Sequence, residues 1–450
     1  DEDITEGMAN LLPCDRFDNL FLAADSRNRA DWLLGVNSSY AICKAVGFGN
    51  NSLGRVQTPV LAEICRRYRE RENHMPADSW PVFISLCKND RILKMRHVDD
   101  LVVRREALAL YEDCKAAKSV RITAVGKRTE EIGAPALYNL AELQKDANRY
   151  HSLTAIQVQE IAQGLYEKKL ISYPRTSSRL LPKDVYDTLP PVMEKMLSRK
   201  EFRQYADTVD LAAPRDSIEA QDTMEHHAII ITGTQPGKLD REEMLVYTLI
   251  VGRMLETFMP PCKVEYTTVD TVCAARKFRI RTYRILEKGW LGIFEREHLV
   301  AKGCMPYLVM PDLFQEEILP VAGCSLIHKK SLPVSPYTDE ELVDYMDKAG
   351  LGTVSTRTNI LRTLLERKYI HYSGKYVVPT PKGLFLYETV RSMKVADASL
   401  TSGWETELAR IERGELSQEK FLDGVLETVN EVTGEIFRNH PVKKRPQGTT

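Results

Sequence analysis

The chain has 450 residues, with 62 lysines and arginines against 63 aspartates and glutamates, and 43% of its residues are hydrophobic. This length predicts roughly three domains, and the composition is that of a soluble globular protein. Because the formal net charge is only −1, no overall field attracts a polyanion, and any nucleic-acid-binding surface must be local.

Cysteines and apolar runs exclude further classes of protein. The nine cysteines are widely spaced and include no Cys-x-x-Cys pair, which argues against a disulfide framework and against a zinc site. No apolar run is long enough to cross a membrane, and the acidic start Asp1–Glu6 does not resemble a signal peptide. We therefore expect a cytoplasmic protein without a membrane partner.

Helical and β-rich segments alternate along the chain. The patterns predict helices in residues 1–72, strands in the next segment, a largely helical block at residues 134–258, strands again, and helices after Pro333. Each β-rich segment alone is too short to bury a stable face. We therefore predict a mixed α and β fold of nested, discontinuous domains, namely 1–72 with 333–450, 73–133 with 259–332, and 134–258 as a central insertion.

Individual elements can be placed more closely. Two helices are predicted at Asp25–Val46 and Gln57–Arg71, with a glycine- and asparagine-rich turn at Gly47–Ser52 between them. Strand patterns rich in β-branched and aromatic residues occur in four places, namely Trp80–Cys87, Ser119–Val125, Lys263–Val272 and Arg276–Arg284.

The central block contains a helix followed by a short predicted strand. Thr154 and Gln157 fit a capping box, after which apolar residues recur at helical spacing. Lys169–Tyr173 is predicted to be a strand that ends at Pro174, because proline has no amide proton for a strand ladder. The pattern predicts a first winged-helix module with Tyr173 at the end of its strand.

The segment Ile171–Arg179 places Tyr173 between an apolar run and two arginines. If the extended geometry persists, Tyr173 and Arg175 point to the same side, because strand side chains alternate. A phenol is mostly neutral at pH 7 and needs a cation or base nearby to attack a phosphodiester. A guanidinium also matches phosphate oxygens well. The alternative is a tyrosine packed at a strand end beside an exposed arginine.

A second winged-helix module is predicted nearer the end of the chain. Thr338 and Glu341 fit a capping box for a helix from Glu340 to Lys348. A second helix follows at Ser355–Arg367, and a hairpin that turns at Ser373–Gly374 completes the module.

The start of that second helix is rich in phosphate-binding groups. Ser355, Thr356 and Arg357 bring hydroxyls and a guanidinium to a helix N-terminus, whose free amides also attract anions. Many helix-turn-helix modules only mediate packing, but this combination favours a module that binds nucleic acid.

Seven segments occur in a recognisable order through most of the chain. They are Arg27–Gly35, Ser52–Pro59, Leu137–Asn148, Tyr173–Ser178, His226–Ile230, Gly350–Arg357 and Leu400–Glu405. With these segments the chain resembles the type IA DNA topoisomerases, and most closely their bacterial topoisomerase III branch. One segment alone would be weak evidence, whereas seven in the family's order make chance a poor explanation.

The resemblance implies a toroid-like arch in which two winged-helix, CAP-like modules are joined by a β-rich hinge domain. It implies an isomerase that cleaves one DNA strand through a 5′-phosphotyrosine link, passes another strand and reseals without ATP. The intact enzyme would relax or decatenate DNA. Single-stranded DNA is the implied partner and a helicase a candidate second partner. The implied chain is a monomer in the bacterial cytoplasm, associated with the nucleoid or a plasmid.

The resemblance also assigns residues. Tyr173 matches the nucleophile, Arg175 the arginine that stabilises the transferring phosphate, and His226 the active-site histidine, with the adjacent His227 leaving that match open by one position. A fixed cation suits the charge on a phosphate in transfer. The residues matched to the single-strand groove and to the phosphate-binding helix start are Arg27, Asp31, Ser52, Leu53, Gly54, Arg55, Val56, Gln57, Ser355, Thr356 and Arg357.

Two departures from the family pattern affect the expected chemistry. Ser177 stands where the family usually has an aspartate, so a carboxylate that could orient Arg175 is missing, or hydroxyls replace it. The chain is also expected to begin after the Toprim domain, which supplies the family's Mg²⁺ ligands. Asp1–Glu6 resembles that acidic motif, but no strand precedes it and its spacing differs. We therefore expect no metal ligand in this chain and impaired cleavage without Toprim.

Two other classes are open on the sequence. One is a non-catalytic winged-helix DNA-binding protein in which Tyr173 is structural. The other is a relaxase or a tyrosine recombinase, both of which form phosphotyrosine links. A relaxase needs a three-histidine metal cluster, whose spacing the nine histidines do not show, and a recombinase prefers duplex DNA and leaves the opposite strand polarity.

Overall fold

A computed structural model of the chain describes residues 2–46, 50–200, 202–210, 218–219, 226–306 and 311–440. The helices in chain order are α1 (Glu2–Ala9), α2 (Asp18–Val46), α3 (Gln57–Glu72), α4 (Arg104–Ala116), α5 (Leu140–His151), α6 (Ala155–Glu167), α7 (Lys183–Asp187), α8 (Leu189–Leu197), α9 (Arg241–Thr257), α10 (His298–Ala301), α11 (Asp339–Lys348), α12 (Arg357–Glu366), α13 (Pro381–Val390), α14 (Ala398–Glu412) and α15 (Gln418–Asn439). The strands are β1 (Asp78–Ser79), β2 (Val82–Lys88), β3 (Arg91–His97), β4 (Ser119–Ile132), β5 (Leu181–Pro182), β6 (Ile218–Glu219), β7 (Cys262–Cys273), β8 (Arg276–Glu287), β9 (Met305–Pro306), β10 (Ile318–Leu326), β11 (Lys329–Lys330), β12 (Tyr337–Thr338), β13 (Ile370–Ser373) and β14 (Tyr376–Pro379).

The chain forms two compact units. The first comprises residues 1–72, 140–161 and 335–450, and the second comprises residues 73–139 and 162–334. Both units are discontinuous in sequence, and the fold is a mixed α and β fold, as predicted. The division into three domains stays a prediction. No helix in the described ranges is long and apolar enough to cross a membrane.

The first unit is a helical body around one apolar core. Helix α2 packs along α14 and α15, and its buried residues recur at helical spacing. It begins at Asp18, seven residues before the predicted start, because Leu22 and Ala23 already pack into the core. Of the predicted turn Gly47–Ser52, residues 47–49 lie outside the described ranges.

In the region of the predicted second module, this unit contains two helices and a hairpin, and the winged helix itself stays a prediction. The capping box at Thr338 is confirmed, with the Glu341 amide donating to the Thr338 hydroxyl at 3.3 Å. Helix α12 is shorter than predicted, and β12, β14 and β13 form a three-stranded sheet. The hairpin turns at Gly374 and Lys375, one residue later than predicted, because Ser373 still pairs with Tyr376.

A buried carboxylate ties this module to the start of α6. Asp339 is 1% exposed, and it accepts the Ala155 amide at 2.6 Å and the Tyr372 hydroxyl at 2.9 Å. Burial raises the pKa of Asp339. The capping box at Thr154 and Gln157 is also confirmed, by amide-to-side-chain hydrogen bonds in both directions.

The second unit is built on a seven-stranded sheet in the order β3-β2-β10-β4-β7-β8-β9. The four predicted strands are confirmed as β2, β4, β7 and β8, and each runs beyond its predicted end. An additional pairing of β3 with β8, through Arg96–Arg279 and His97–Phe278, closes the sheet into a barrel-like form. Alternate residues such as Ile84, Val269 and Phe278 fill the inside, so the intervening residues face outward.

One ion pair near this closure gives the unit a predicted acid sensitivity. A hydrogen bond from Arg279, supported by one from Lys277, lowers the pKa of Asp270 to about 2, although burial of the carboxyl acts in the opposite direction. Because that value is below the ordinary 3.8, the stabilisation is complete above the ordinary value and is lost as the pH falls toward 2.

We therefore expect Asp270→Asn to lower the free energy of unfolding at pH 7 by about 1 kcal/mol, a value reduced for solvent screening of the partly exposed cations. The difference from wild type should shrink between about pH 4 and pH 2. Urea unfolding at several pH values measures this difference in the free energy of unfolding. A difference that does not vary across this range would show that the charge on Asp270 is not the cause.

Candidate functional site

The chain turns sharply between α6 and Tyr173. Lys169 takes a left-handed backbone conformation, with a φ of 60°. The predicted strand Lys169–Tyr173 is therefore wrong, because this turn leaves only an isolated bridge between Ile171 and Ile231. Tyr173 lies on a short irregular segment beside residues 226–231.

Hydrogen bonds fix that segment on both sides of Tyr173. The Ser172 amide donates to the Ile230 carbonyl at 2.8 Å, and the Ser172 hydroxyl donates to the Ala228 carbonyl at 3.0 Å. Beyond Tyr173, the buried Thr176 hydroxyl donates to the His226 carbonyl at 2.9 Å. Both the tyrosine and the histidine segment are thus held in one place, although they are far apart in sequence.

The Tyr173 ring lies between two other aromatic rings. Its centroid is 4.5 Å from that of His226, and it is 5.4 Å from that of Tyr166, which meets it edge-on. His227 instead has its Nδ1 2.7 Å from the Ala228 carbonyl. Of the two adjacent histidines, His226 is therefore the one in contact with the phenol ring.

The Arg175 guanidinium has an unused hydrogen-bond donor. Its Nε is buried and has no hydrogen-bond partner among the described residues. Ser177, which stands in place of the family's aspartate, is exposed, and its carbonyl accepts the Asn139 side-chain amide at 2.9 Å. A buried donor without a partner is costly, so this guanidinium is suited to receive an anion.

A second cluster of charged residues lies in the first unit around Arg55. Arg55 is 6% exposed. Its Nε donates to Asp31 at 2.8 Å, and its Nη1 donates to Glu405 at 2.7 Å. Arg27 binds the other oxygen of Glu405 at 2.6 Å. The Arg55 guanidinium also lies 5.8 Å from the Trp404 ring centroid, so the network is fixed by packing as well as by charge.

These contacts shift the acid–base equilibria of the cluster. Burial works against the charge on Glu405, but hydrogen bonds from Arg27 and Arg55 outweigh it and hold the pKa of this carboxyl below its ordinary value. Burial likewise works against the charge on Arg55, but the hydrogen bonds that Arg55 donates to Asp31 and Glu405 outweigh it, so the pKa of Arg55 is raised. The pair of Arg55 and Glu405 is therefore fully ionised at neutral pH.

This cluster forms part of the wall of a groove of about 650 Å³. Eight of the eleven predicted DNA-binding residues line it, namely Arg27, Asp31, Leu53, Gly54, Arg55, Val56, Gln57 and Thr356. Ser52, Ser355 and Arg357 lie outside its lining. The lining also includes the carboxylates Asp31 and Glu405, so phosphate binding requires the unpaired donors nearby.

Such donors occur at the start of α12. The Thr353 amide donates to the Thr356 hydroxyl at 2.9 Å, and the Thr353 and Ser355 hydroxyls are 3.0 Å apart. Arg357 is 7% exposed and contacts Asp347 through Nη2 at 2.7 Å, while its Nε and Nη1 have no partner among the described residues. A buried guanidinium with two nitrogens that lack partners, beside a helix N-terminus, has the chemistry that suits a phosphate.

Sequence reasoning missed several residues of these sites. Glu405 lies in a segment that the family pattern includes, but no periodicity shows that it binds two arginines about 350 positions away. Gly352 and Thr353 also line the groove and lie shortly before the predicted Ser355. Tyr166, in the last turns of α6, had no signal of its own.

The described residues do not fit a divalent metal ion. No three His, Cys, Asp or Glu side chains in the described ranges are grouped so that they could hold one. The groove carboxylates Asp31 and Glu405 are already bound by arginines. Of the motif Asp1–Glu6, Asp1 lies outside the described residues and Glu2 begins α1. What these described residues offer the reaction is therefore the chemistry of their own side chains.

Comparison with known proteins identifies the family of the chain. A family profile for DNA topoisomerases matches residues 15–423. The chain is 28% identical to DNA topoisomerase 1 of Methanocaldococcus jannaschii over 407 positions, which cover 89% of this chain and 52% of the relative. It is 28% identical to DNA topoisomerase 3 of Bacillus licheniformis over 468 positions, which cover 97% of this chain and 63% of the relative. The chain thus spans less than two thirds of either relative.

Among solved structures, full-length topoisomerase I of Thermotoga maritima has a TM-score of 0.73 with 20% identity, covering 92% of this chain and 68% of that one. At this identity the likeness shows the fold alone, a mixed α and β architecture of more than one unit. The family match over most of the chain adds the class of protein. The chain belongs to the type IA DNA topoisomerases.

Proposed function

We propose that Tyr173 is the nucleophile of a DNA strand-cleavage and resealing reaction. The observation that carries the proposal is the phenol held between Tyr166 and His226 on a segment fixed by hydrogen bonds, close in sequence to a guanidinium with a free donor. The Tyr173 oxygen would attack phosphorus and form a 5′-phosphotyrosine bond, while the bond from phosphorus to the 3′ oxygen breaks. The phenol loses its proton and the leaving 3′ oxygen gains one.

The reverse step reseals the strand, and one ester replaces another in each direction, so no nucleotide needs to be hydrolysed. Arg175 would stabilise the charge on the phosphate in transfer. His226, in contact with the ring, would orient the phenol or exchange its proton. These groups account for cleavage and resealing, and the strand passage between them relaxes or decatenates DNA.

We also propose that the groove in the first unit binds single-stranded DNA. The unused donors of Arg357 and the hydroxyls at the start of α12 support phosphate contacts there. Arg27 and Arg55, which both pair with Glu405, would line the path of the DNA strand without neutralising its phosphate charges. The helix–helix–hairpin arrangement of this unit is consistent with the predicted winged helix.

The metal-dependent half of the reaction is proposed to come from a Toprim domain. An apolar stripe on one face of α2 supports a covering domain, because Phe21, Trp32, Val36 and Tyr40 are between 49% and 68% exposed. Exposed apolar stripes of this size mark interfaces. Mg²⁺ ligands would then lie on the Toprim side, and this chain would supply the nucleophile and the groove.

This docking can be tested by one charge on the stripe. Trp32→Glu should weaken binding of a separately produced Toprim domain by about tenfold or more, since buried aromatic residues dominate interface energies. Isothermal titration calorimetry measures the affinity for the Toprim domain. The control is Leu426→Glu, because Leu426 is also exposed and apolar but lies on α15, outside the stripe. Equal affinities for both variants would remove the stripe from the interface.

The polarity of the covalent link tests the cleavage proposal itself. The chain is incubated with single-stranded oligonucleotides labelled at the 3′ or the 5′ end, with and without Mg²⁺ and a Toprim domain, and resolved on denaturing gels. We expect an adduct only with the 3′ label and only when Toprim is present. An adduct with the 5′ label would indicate recombinase-type polarity, and tight binding without any adduct would indicate a non-catalytic DNA-binding protein.

The finer family assignment is also a proposal. The topoisomerase 3 name of the Bacillus licheniformis relative supports the topoisomerase III branch, whereas the Methanocaldococcus jannaschii relative is named topoisomerase 1. We propose a monomer of the bacterial cytoplasm that acts on single-stranded regions, with a helicase as the candidate partner that exposes them.

A further inference from the structure

The outer face of the barrel-like sheet in the second unit carries two neighbouring cavities. One, of about 400 Å³, lies over β3 and β8, and the other, of about 440 Å³, lies over β4 and β7. Arg281 lines both cavities, so they form one continuous surface, which we call the basic face. It lies on a different unit from the groove of Arg55.

Every charged side chain in the described lining of the two cavities is basic, and His97 is the one other titratable base. The cations are Lys94, Arg96, Lys127, Arg128, Arg279, Arg281 and Lys302. This contrasts with the groove, whose lining contains Asp31 and Glu405. It also contrasts with the chain as a whole, whose formal net charge is −1. A local excess of one sign is the signature of a site for an anion.

The carboxylates that contact these cations lie beyond the described lining and do not balance them. Arg96 pairs with Asp100, Arg279 with Asp270, and both Arg128 and Lys302 with Glu130. Among the described carboxylates, Asp312 is the one that contacts Lys127, at 3.8 Å.

Two cations of the basic face have no carboxylate partner among the described residues. Arg281 is exposed and makes no described ion pair, and Lys94 lies 4.7 Å above the Phe83 ring instead. A cation held on an aromatic face keeps its donors for a ligand. Because both side chains are already free of carboxylates, no protein ion pair has to break when they bind an anion.

Strand register sets the spacing of these cations. Arg96 lies opposite Arg279, and two residues along β8 Arg281 lies opposite Thr268, which lies opposite Gly126. The four strands β3, β8, β7 and β4 span three intervals, roughly 14 Å in total. Thr268 and Gly126 are small, so no long side chain separates the two groups of cations. Positive charges are therefore repeated across the neighbouring strands of this face.

We propose that the basic face binds the phosphate backbone of a nucleic acid, at a site separate from the groove and from Tyr173. Repeated guanidinium and ammonium groups across neighbouring strands match a polymer with repeated negative charges. The lining also includes Phe83, Val98, Ile280 and Met305, so an acidic protein segment is the alternative, which binding of polyglutamate tests. This site adds a second nucleic-acid contact to the chain and does not depend on the chemistry of Tyr173.

The test reverses the two unpaired cations together, in Lys94→Glu/Arg281→Glu, within the full chain. Arg105→Glu/Lys118→Glu, at exposed positions of the same unit, is the matched control. Binding of a fluorescent oligo-dT of about forty nucleotides, of a duplex of equal length and of polyglutamate is measured between about 50 and 300 mM salt, a range in which phosphate contacts change affinity strongly. Thermal midpoints confirm folding, and if the double reversal unfolds, Lys94→Gln/Arg281→Gln replaces it.

We expect the reversal to weaken binding of one or both nucleic acids by about tenfold at about 100 mM salt, and to reduce the salt slope by about 1.4 for two lost contacts to a single strand. The affinity of the control variant for both nucleic acids should stay within about twofold of wild type, as expected for charges away from the ligand. Whether the single strand or the duplex is affected identifies the source of the phosphates. Unchanged affinity for both, or a loss confined to polyglutamate, would overturn the proposal. Adduct formation by Tyr173, measured on the same samples, tests the proposed cleavage separately.

Discussion

Tyr173→Phe is expected to reduce the covalent DNA adduct by at least about 10³-fold, because phenylalanine has no oxygen to attack phosphorus. Binding of single-stranded DNA should stay within about twofold, because the groove lies in the other unit and the ring itself is retained. The adduct is quantified on denaturing gels with a 3′-labelled oligonucleotide and a Toprim domain, and binding is measured by fluorescence anisotropy.

Tyr166→Phe is the matched control, since it removes a hydroxyl from the ring that packs edge-on against Tyr173. It should leave adduct formation within about twofold. His226→Ala should lower the rate by about 10- to 100-fold, because it removes the ring in contact with the phenol. If Tyr166→Phe abolished the adduct and Tyr173→Phe did not, the nucleophile would be Tyr166 and the assignment of Tyr173 would be wrong.

Arg55→Ala is expected to have the second largest effect, on stability and on DNA binding together. It would leave Asp31 and Glu405 facing the groove without their shared cation. We expect the free energy of unfolding to fall by about 2 kcal/mol, less than for a fully buried pair because both carboxylates are partly exposed. Affinity for single-stranded DNA should fall by about tenfold, because the groove gains a net negative charge.

The acid dependence of this effect follows from Glu405. Its pKa is held below the ordinary value, so the pair stabilises the folded state above about pH 4.3 and this stabilisation is lost as the pH falls further. Urea unfolding of both variants at pH 7, where the stabilisation is present, and at pH 3, where it is reduced, measures this dependence. Arg29→Ala, which removes an exposed ion pair to Asp25 one turn away, should cost less than about 0.5 kcal/mol. Equal losses for the two variants would contradict a specific role for Arg55.

Local features of the fold could be predicted from the sequence. The capping boxes at Thr154 and Thr338 depend on residues three positions apart, and both are present. Strand patterns also located β2, β4, β7 and β8. The errors occurred where tertiary contacts decide the outcome. The predicted strand before Tyr173 became a turn, because Lys169 takes a left-handed conformation and residues 226–231 supply the hydrogen-bond partners.

Residues of the candidate site could be named from the family pattern, but their contacts could not. Nothing in the spacing shows that His226, rather than His227, contacts the Tyr173 ring. Likewise, the bond from Arg55 to Glu405 joins residues 350 positions apart. Such pairs depend on how the whole chain folds, whereas motifs describe only neighbours in sequence. The roles of these residues in the reaction stay predictions.

The closure of the barrel-like sheet has a thermodynamic consequence. Strand β7 pairs with β4 and β8 along nearly its whole length, whereas β3 meets β8 through only two residue pairs. One of those pairs is Arg96 with Arg279, and each of these arginines already has a carboxylate partner, Asp100 and Asp270 respectively. An anion held jointly by the unpaired Lys94 of β3 and Arg281 of β8 would favour the closed sheet by an amount equal to its preference for that form. Binding of the proposed ligand would in that way stiffen this unit through the short contact between β3 and β8.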